Sequence, residues 1–169
     1  HLFVGIFRPR KAVQGSMFAG RVVAVGAEVT RWAVGDDVFG LSEAFGAYAQ
    51  LLAIPESAPI ATMPPGVSYA EAAAVPYGAG TARHFLTQLT NLQPGERVLV
   101  LGASGGVGRY AVQLSRHLGA HVTGVASRKN LALVRSLGAD AVIDHRSQAY
   151  HRLGERWDVI FDIADATGF

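Results

Sequence analysis

The stretch Val98-Leu-Val-Leu-Gly-Ala-Ser-Gly-Gly-Val-Gly108 decides the fold of this chain. Apolar residues of the kind found in a buried strand lead into a glycine-rich turn, and a helical pattern begins directly after it. Glycines let the chain turn tightly and let a phosphate approach the backbone, while the start of a helix supplies free N–H groups. This arrangement is typical of turns that hold the pyrophosphate of a dinucleotide. The residues predicted to form the site are Ala103, Ser104, Gly105, Gly106, Val107 and Gly108.

The glycine spacing alone leaves three interpretations open. Gly102, Gly105 and Gly108 recur at a spacing of three, but Gly102, Gly106 and Gly108 also fit the GxxxGxG loop of short-chain dehydrogenases. The third interpretation is a strand–helix connection that is rich in glycine and holds no ligand. The surrounding sequence has to separate these alternatives.

A helix and a second strand are predicted after the turn. Gly119 stands where a helix-ending glycine belongs, and His121–Ala126 is an apolar run of strand length. Residues 97–126 therefore have the pattern of a βαβ unit. The positions that share one face of the predicted helix are Val107, Ala111, Leu114, Ser115 and Leu118.

The end of the second strand indicates which dinucleotide is bound. NAD-specific sites place Asp or Glu there, about 20 residues past the glycines, to bind the ribose 2′-OH. This chain has Ser127, Arg128 and Lys129 instead, a hydroxyl and two cations that suit a 2′-phosphate. We therefore predict NADPH as the cofactor, the alternative being that these residues form an exposed basic loop.

Composition excludes several classes of protein. Half of the 169 residues are apolar and 17% are charged, which is typical of a globular chain with a core. The net charge of +2 is small and its basic residues are scattered, so no nucleic-acid partner is expected. No apolar run is long enough for a membrane span, and no signal sequence is evident. The absence of cysteine excludes disulfides and cysteine-bound zinc, and is consistent with a cytoplasmic protein.

The first part of the chain has a β-rich pattern. Strands are predicted at 21–25, within 35–40 and at 47–54. We predict a boundary between a domain of residues 1–65 and a domain of residues 66–169.

Helices are predicted between that boundary and the glycine turn. Ser68 and Glu71 form a capping box, which starts a helix that should end at Pro76. A second helix is expected from about Gly80 to Leu89.

Six segments in this order resemble the medium-chain dehydrogenase/reductase superfamily, in its zinc-independent quinone-oxidoreductase-like branch. The resemblance implies an α/β protein with a partial GroES-like β-rich domain followed by a partial Rossmann domain, a doubly wound parallel sheet. It also sets aside the short-chain alternative, since no tyrosine here has a lysine four residues on. The segments are Ala19-Gly-Arg-Val-Val-Ala-Val-Gly26, Gly35-Asp-Asp-Val-Phe-Gly40, Glu71-Ala-Ala-Ala-Val-Pro76 with Gly80-Thr-Ala82, Leu92-Gln-Pro-Gly-Glu-Arg-Val-Leu-Val100, Val134-Arg-Ser-Leu-Gly-Ala-Asp140 and Trp157-Asp-Val-Ile-Phe-Asp162.

The resemblance implies hydride transfer from NADPH to a quinone or an α,β-unsaturated carbonyl. It places Thr81 near the nicotinamide and His145 near the adenosine end of the cofactor. Zinc-dependent members carry Gly-His-Glu where this chain has Gly15-Ser16-Met17, so no metal is expected. The histidines show no metal-ligand spacing; they are His1, His84, His117, His121, His145 and His151.

Catalytic residues are not evident from the sequence. Tyr77 is a candidate proton donor, although packing beneath the cleft is the favoured interpretation, and Tyr48 and Phe39 are expected in the core rather than in the cleft. Full members of the family are longer, so we expect this chain to be a fragment of a homodimeric parent. The fragment alone should be inactive and unstable. Two alternatives stay open, a non-catalytic NADPH-binding redox sensor or structural homologue, and an enoyl reductase module of a polyketide synthase.

Overall fold

The computed structural model describes residues 12–164 and divides the chain into two compact units, His1–Tyr77 and Gly78–Phe169. The division falls inside helix α1 (Tyr69–Arg83). It therefore marks no linker at 65/66, and the domain boundary predicted there stays a prediction.

The first unit is built on a small antiparallel sheet. Its strands are β1 (Met17–Arg21), β2 (Asp37–Leu41) and β3 (Ile60–Thr62), with β2 in the centre. The strand predicted within 35–40 is thus confirmed. Gly40 permits the close pairing of β2 with the chain before β3, because a Cβ there would lie 2.2 Å from the carbonyl oxygen of Pro59.

The other two strands predicted in this unit are wrong. Strand β1 ends at Arg21, and beyond it Val22 exchanges hydrogen bonds with Gly35 and Asp36 before the ladder stops. Residues 47–54 form no strand, because the hydrogen bonds of this segment to residues 14–15 involve only its first two amides. A strand requires a partner, and an apolar pattern does not reveal whether one is available.

Helix α1 starts as the capping box predicts and continues further than predicted. The backbone N–H groups of Ser68 and Glu71 each donate to the other's side chain, at 3.0 and 3.3 Å. The helix does not end at Pro76 but runs on to Arg83, followed by a π-helical segment, His84–Leu89. Ala82 and Leu86 are fully buried in the core of the second unit, and this packing outweighs the helix-breaking tendency of proline.

The second unit is a parallel sheet with connecting helices. Its strands are β4 (Arg97–Leu101), β5 (His121–Ala126), β6 (Ala141–Asp144) and β7 (Val159–Asp162), in the order β6-β5-β4-β7. Helix α2 (Gly108–His117) links β4 to β5, and α3 (Leu131–Ser136) links β5 to β6. This is the strand order of the first half of a Rossmann fold. The predicted fold class, a β-rich part followed by a Rossmann-type parallel sheet, is confirmed.

Strand β4 forms the centre of the second unit and is buried on both faces. Val98 and Val100 belong to the apolar cluster that includes α2 and α3, while Leu99 and Leu101 belong to a second cluster with Tyr150 and Trp157. Gly119 ends the α2 turn with a φ of +84°, as predicted. No helix in the described part of the chain has the length and apolar character needed to cross a membrane.

Candidate dinucleotide site

Three groups of predicted site residues follow neighbouring strands at one edge of the parallel sheet. The glycine turn follows β4, residues 127–129 follow β5, and His145 follows β6. The amide of Ala103 donates to Val125 and that of His145 to Ala126, so the connections after β4 and β6 both start hydrogen-bonded to β5. The carboxyl edge of an open parallel sheet is where such folds bind ligands.

Two glycines of the turn are required by the packing of the chain itself. Gly102 has a φ of +77°, in the left-handed region that favours glycine. A Cβ on Gly108 would lie 2.2 Å from the carbonyl oxygen of Gly102, so only glycine lets α2 begin this close to β4. These two positions are common to both glycine spacings considered above.

Gly106 differs, because no contact with another described residue requires glycine there. A Cβ on Gly106 would meet no atom within 4 Å, and its φ lies outside the left-handed region. A Cβ on Gly105, in comparison, would approach the Gly102 oxygen to 3.2 Å. The turn therefore leaves an open space directly before α2.

Unpaired amides accompany this open space. Within residues 12–164, the N–H groups of Gly106, Val107 and Gly108 have no acceptor, whereas those of Gly105 and Arg109 donate to neighbouring carbonyls of the turn. The first amides of a helix lack partners in the helix and carry partial positive charge. The turn can therefore bind an anion through its backbone.

Asn130, which was not predicted as a site residue, links the loop after β4 to the loop after β5. The Asn130 amide Nδ2 donates to the Ser104 hydroxyl at 3.0 Å and to the Ser127 hydroxyl at 3.3 Å. All three side chains are partly buried. The contact with Ser104 spans 26 positions of the chain, so local sequence gives no signal of it.

The predicted cations lie at the end of β5 and are available to a ligand. Arg128 and Lys129 lie in a short 3-10 helix (Arg128–Asn130), are exposed, and form no ion pair with any described residue. Arg109, which the sequence analysis missed, adds a guanidinium whose Nε donates to the Ser104 carbonyl at 2.8 Å. The residues that follow β4 and β5 therefore include three cations, Arg109, Arg128 and Lys129.

Helix α1 approaches the turn through Gly78, another residue missed from the sequence. A Cβ on Gly78 would lie 2.7 Å from both the Gly106 carbonyl oxygen and the Tyr110 ring. Thr81 follows one helical turn later on the same side of α1 and is half-buried. The fold therefore brings the segment that carries Thr81 to the turn, while a contact of Thr81 with a cofactor stays a prediction.

The remaining candidates have no established role. His145 is exposed beyond β6, as is Tyr77 on α1. Phe39 is half-buried on β2, but Tyr48 is 77% exposed with its ring against Gly15, so its expected place in the core is wrong. Among residues 12–164, no three His, Cys, Asp or Glu side chains lie together as metal ligands would, and His1 is outside that range.

Family models match both parts of the chain. The model described as alcohol dehydrogenase GroES-like domain matches residues 1–78, and the one described as zinc-binding dehydrogenase matches residues 106–167. With the relatives and structures below, they place the chain in the medium-chain dehydrogenase/reductase superfamily, in its quinone-oxidoreductase-like branch.

Three curated relatives show the range of similar proteins. The chloroplastic quinone-oxidoreductase homolog of Spinacia oleracea is 42% identical over 85% of this chain and 47% of its own length. The chloroplastic NADPH-dependent alkenal/one oxidoreductase of Arabidopsis thaliana is 37% identical over 91% of this chain and 42% of its own. The pikromycin polyketide synthase component PikAII of Streptomyces venezuelae is 44% identical over 78% of this chain and 4% of its own.

Solved structures agree with these relatives. An alcohol dehydrogenase superfamily protein from Novosphingobium aromaticivorans has a TM-score of 0.83 and 36% identity, over 91% of this chain and 49% of that one. The Escherichia coli quinone oxidoreductase complexed with NADPH has a TM-score of 0.76 and 29% identity, over 85% and 44%. The chain therefore spans about half the length of these two proteins and less than half of the quinone and alkenal oxidoreductase relatives.

Proposed function

We propose that the protein is an oxidoreductase that binds a nicotinamide dinucleotide, prefers NADPH, and passes a hydride to a quinone or an α,β-unsaturated carbonyl. The observation that carries the proposal is the open space at Gly106, bordered by the amides of residues 106–108, which have no acceptor in the described part of the chain. Packing among residues 12–164 does not require a glycine at position 106, and a ligand that approaches the backbone there would account for it. The shape and charge of the turn fit a pyrophosphate.

The proposed cofactor extends along the carboxyl edge of the sheet. The turn binds the pyrophosphate, while Ser127, Arg128 and Lys129 bind the 2′-phosphate and His145 lies by the adenosine. Charge-assisted hydrogen bonds contribute about 1.5–3 kcal/mol each, which corresponds to roughly a ten- to hundred-fold preference for NADPH over NADH. Relatives support this assignment, since one carries NADPH dependence in its name and another is solved with NADPH.

The proposed reaction uses the protein chiefly to position its reactants. When bound, the nicotinamide supplies the hydride. Thr81 holds the nicotinamide end, and hydrogen bonds rather than zinc polarise the substrate oxygen. The substrate is a small molecule, and we further propose a cytoplasmic homodimer with no nucleic-acid or membrane partner. We assign no residue as the proton donor.

Titration of the whole protein with NADPH and NADH, with Gly106→Ala as the variant, tests the proposed site. The added methyl group has room within the chain, so the melting temperature should stay or rise slightly. The same methyl group occupies the space of the phosphate, so affinity for both cofactors should fall at least ten-fold. Unchanged affinity in a folded Gly106→Ala protein would contradict the site.

Turnover tests the oxidoreductase part of the proposal. The wild-type protein should oxidise NADPH in the presence of a model quinone or enone, and loss of absorbance at 340 nm would follow the reaction. Tight NADPH binding with no oxidation by any acceptor would indicate a non-catalytic binding protein.

The identity with PikAII favours one second candidate, an enoyl reductase module of a polyketide synthase. This candidate shares the cofactor site and differs in the substrate, an enoyl thioester on a carrier. Comparing turnover of an enoyl thioester with that of a free quinone separates the two. A preference for the thioester by a hundred-fold or more would favour the module.

A further inference from the structure

We infer that Asn130 is a positioning residue that turns the hydroxyls of Ser104 and Ser127 into donors toward the phosphates of the dinucleotide, and so sets the preference for a 2′-phosphate. This inference rests on the proposed cofactor site. Its basis is the pair of hydrogen bonds from Asn130 Nδ2, at 3.0 Å to Ser104 and 3.3 Å to Ser127.

The direction of these hydrogen bonds is the first step of the argument. An amide –NH₂ group has two hydrogens and accepts nothing, so both serine oxygens act as acceptors toward Asn130. Each hydroxyl then has its own proton free for another partner. A hydroxyl held in this way favours an acceptor such as a phosphate oxygen.

The second step is that Asn130 forgoes its usual local partner. Asparagine at the N-cap of a helix commonly accepts a hydrogen bond from the first turn through its side chain. Asn130 occupies the N-cap of α3, yet its side chain makes no capping hydrogen bond. Its side-chain amide forms hydrogen bonds to Ser104, in the loop after β4, and to Ser127, in the loop after β5.

The third step concerns the location of the two hydrogen bonds from Asn130 to Ser104 and Ser127, which we call the Asn130 bridge. Ser104 belongs to the turn with the unpaired amides, and Ser127 directly precedes the exposed Arg128 and Lys129. Asn130 itself is tied to the second connection, because its backbone N–H donates to the Ser127 carbonyl at 2.8 Å. One side chain therefore fixes the spacing between the proposed pyrophosphate and 2′-phosphate positions.

Two substitutions test the Asn130 bridge by calorimetric titration of the whole protein with NADPH and NADH. Asn130→Leu removes the donor at similar size, and NADPH affinity should fall about ten-fold while NADH affinity falls clearly less. Asn130→Asp keeps the shape but accepts from both hydroxyls and adds a negative charge. It should abolish or invert the NADPH preference while retaining the cooperative melt.

A double-mutant comparison shows whether Asn130 acts through the serines. In a Ser127→Ala background, Asn130→Leu should have a smaller selective effect on NADPH than in the wild type. Ser136→Ala is the matched control, since it removes an exposed hydrogen bond to Leu133 within α3 itself. It should change neither affinity.

The outcomes separate this inference from the proposed function. A wild-type protein that binds neither cofactor overturns the proposed function and this inference with it. A wild-type protein that prefers NADPH, with Asn130 variants that lose both cofactors equally, overturns the positioning role alone. A selective loss of NADPH that depends on Ser127 supports it.

Discussion

The Tyr69 hydroxyl donates a hydrogen bond to the Asp37 carboxylate at 2.5 Å, joining the first residue of α1 to the first residue of β2. Arg21, opposite Asp37 in the sheet, binds the same carboxylate through two nitrogens, each at 2.9 Å. Arg21 and Tyr69 together hold the pKa of Asp37 at about 2, below its usual 3.8, and the bond to Asp37 raises the pKa of Tyr69.

These pKa shifts predict how the stability of the first unit depends on pH. Because the Asp37 pKa is lowered in the folded protein, the ionised carboxylate stabilises the fold at any pH above the pKa of Asp37 in the unfolded chain. This stabilisation is lost as the pH falls from about 4 towards 2. The raised Tyr69 pKa affects stability at alkaline pH. The protonated Tyr69 hydroxyl stabilises the fold, and this stabilisation is lost as the pH rises beyond 10. Asp37→Asn should lower the melting temperature at pH 6 and flatten its decline between pH 4 and 2. Glu43→Gln, at an exposed turn residue, is the control, and parallel curves for wild type and Asp37→Asn would contradict the prediction.

Substitution of Gly108 should disturb the turn itself. In Gly108→Ala the new methyl group would lie 2.2 Å from the Gly102 oxygen and 2.9 Å from the Ala103 Cα, both of them backbone atoms that cannot rotate away. We expect a loss of about 1–3 kcal/mol in the free energy of unfolding, measured with urea. Gly105→Ala, whose methyl group would approach the Gly102 oxygen only to 3.2 Å, should cost less. Equal costs for the two variants would show that the close approach at Gly108 is unimportant.

Gly78 offers a similar test on α1. Alanine favours a helix over glycine by about 1 kcal/mol, so Gly→Ala in a helix interior normally stabilises. At Gly78 the methyl group would meet the Gly106 oxygen and the Tyr110 ring at 2.7 Å, and we expect Gly78→Ala to destabilise by about 1–3 kcal/mol instead. Gly80→Ala is the matched control two residues on, since a Cβ there meets no atom within 4 Å. It should stabilise the protein, and urea unfolding of both variants measures the contrast.

The strands and helices of the second unit could be predicted from the sequence because neighbouring residues mark where each of them begins and ends. Strand β5, His121–Ala126, is bounded by Gly119 on one side and by the polar residues Ser127 to Lys129 on the other, and it was predicted to the residue. In a parallel sheet the residues after each strand meet at one edge, so the order of the elements alone indicates where the candidate site lies.

The parts that could not be predicted depend on distant contacts. Residues 47–54 have an apolar pattern that a strand and a loop share, and only the presence of a neighbouring strand distinguishes them. Gly78 gains its importance from Gly106, and Asn130 gains its importance from Ser104, which lies 26 positions away in the sequence. Nothing in the residues that neighbour Gly78 or Asn130 in the sequence indicates such a partner.

Reversal of the charge after β5 tests whether these cations bind a 2′-phosphate. Both side chains are exposed and bind no carboxylate in the described chain, so Arg128→Asp with Lys129→Ala should leave the melting temperature nearly unchanged. An aspartate there repels the 2′-phosphate and can accept a hydrogen bond from the ribose 2′-OH of NADH. NADPH affinity should therefore fall by a hundred-fold or more, at about 1.5–3 kcal/mol for each lost charged contact, while NADH affinity stays or rises. The NADPH loss should also shrink at high salt, because screening weakens an exposed charge pair. Equal losses for both cofactors would place these residues outside the 2′-phosphate site and leave the glycine turn as the only part of the cofactor assignment still supported.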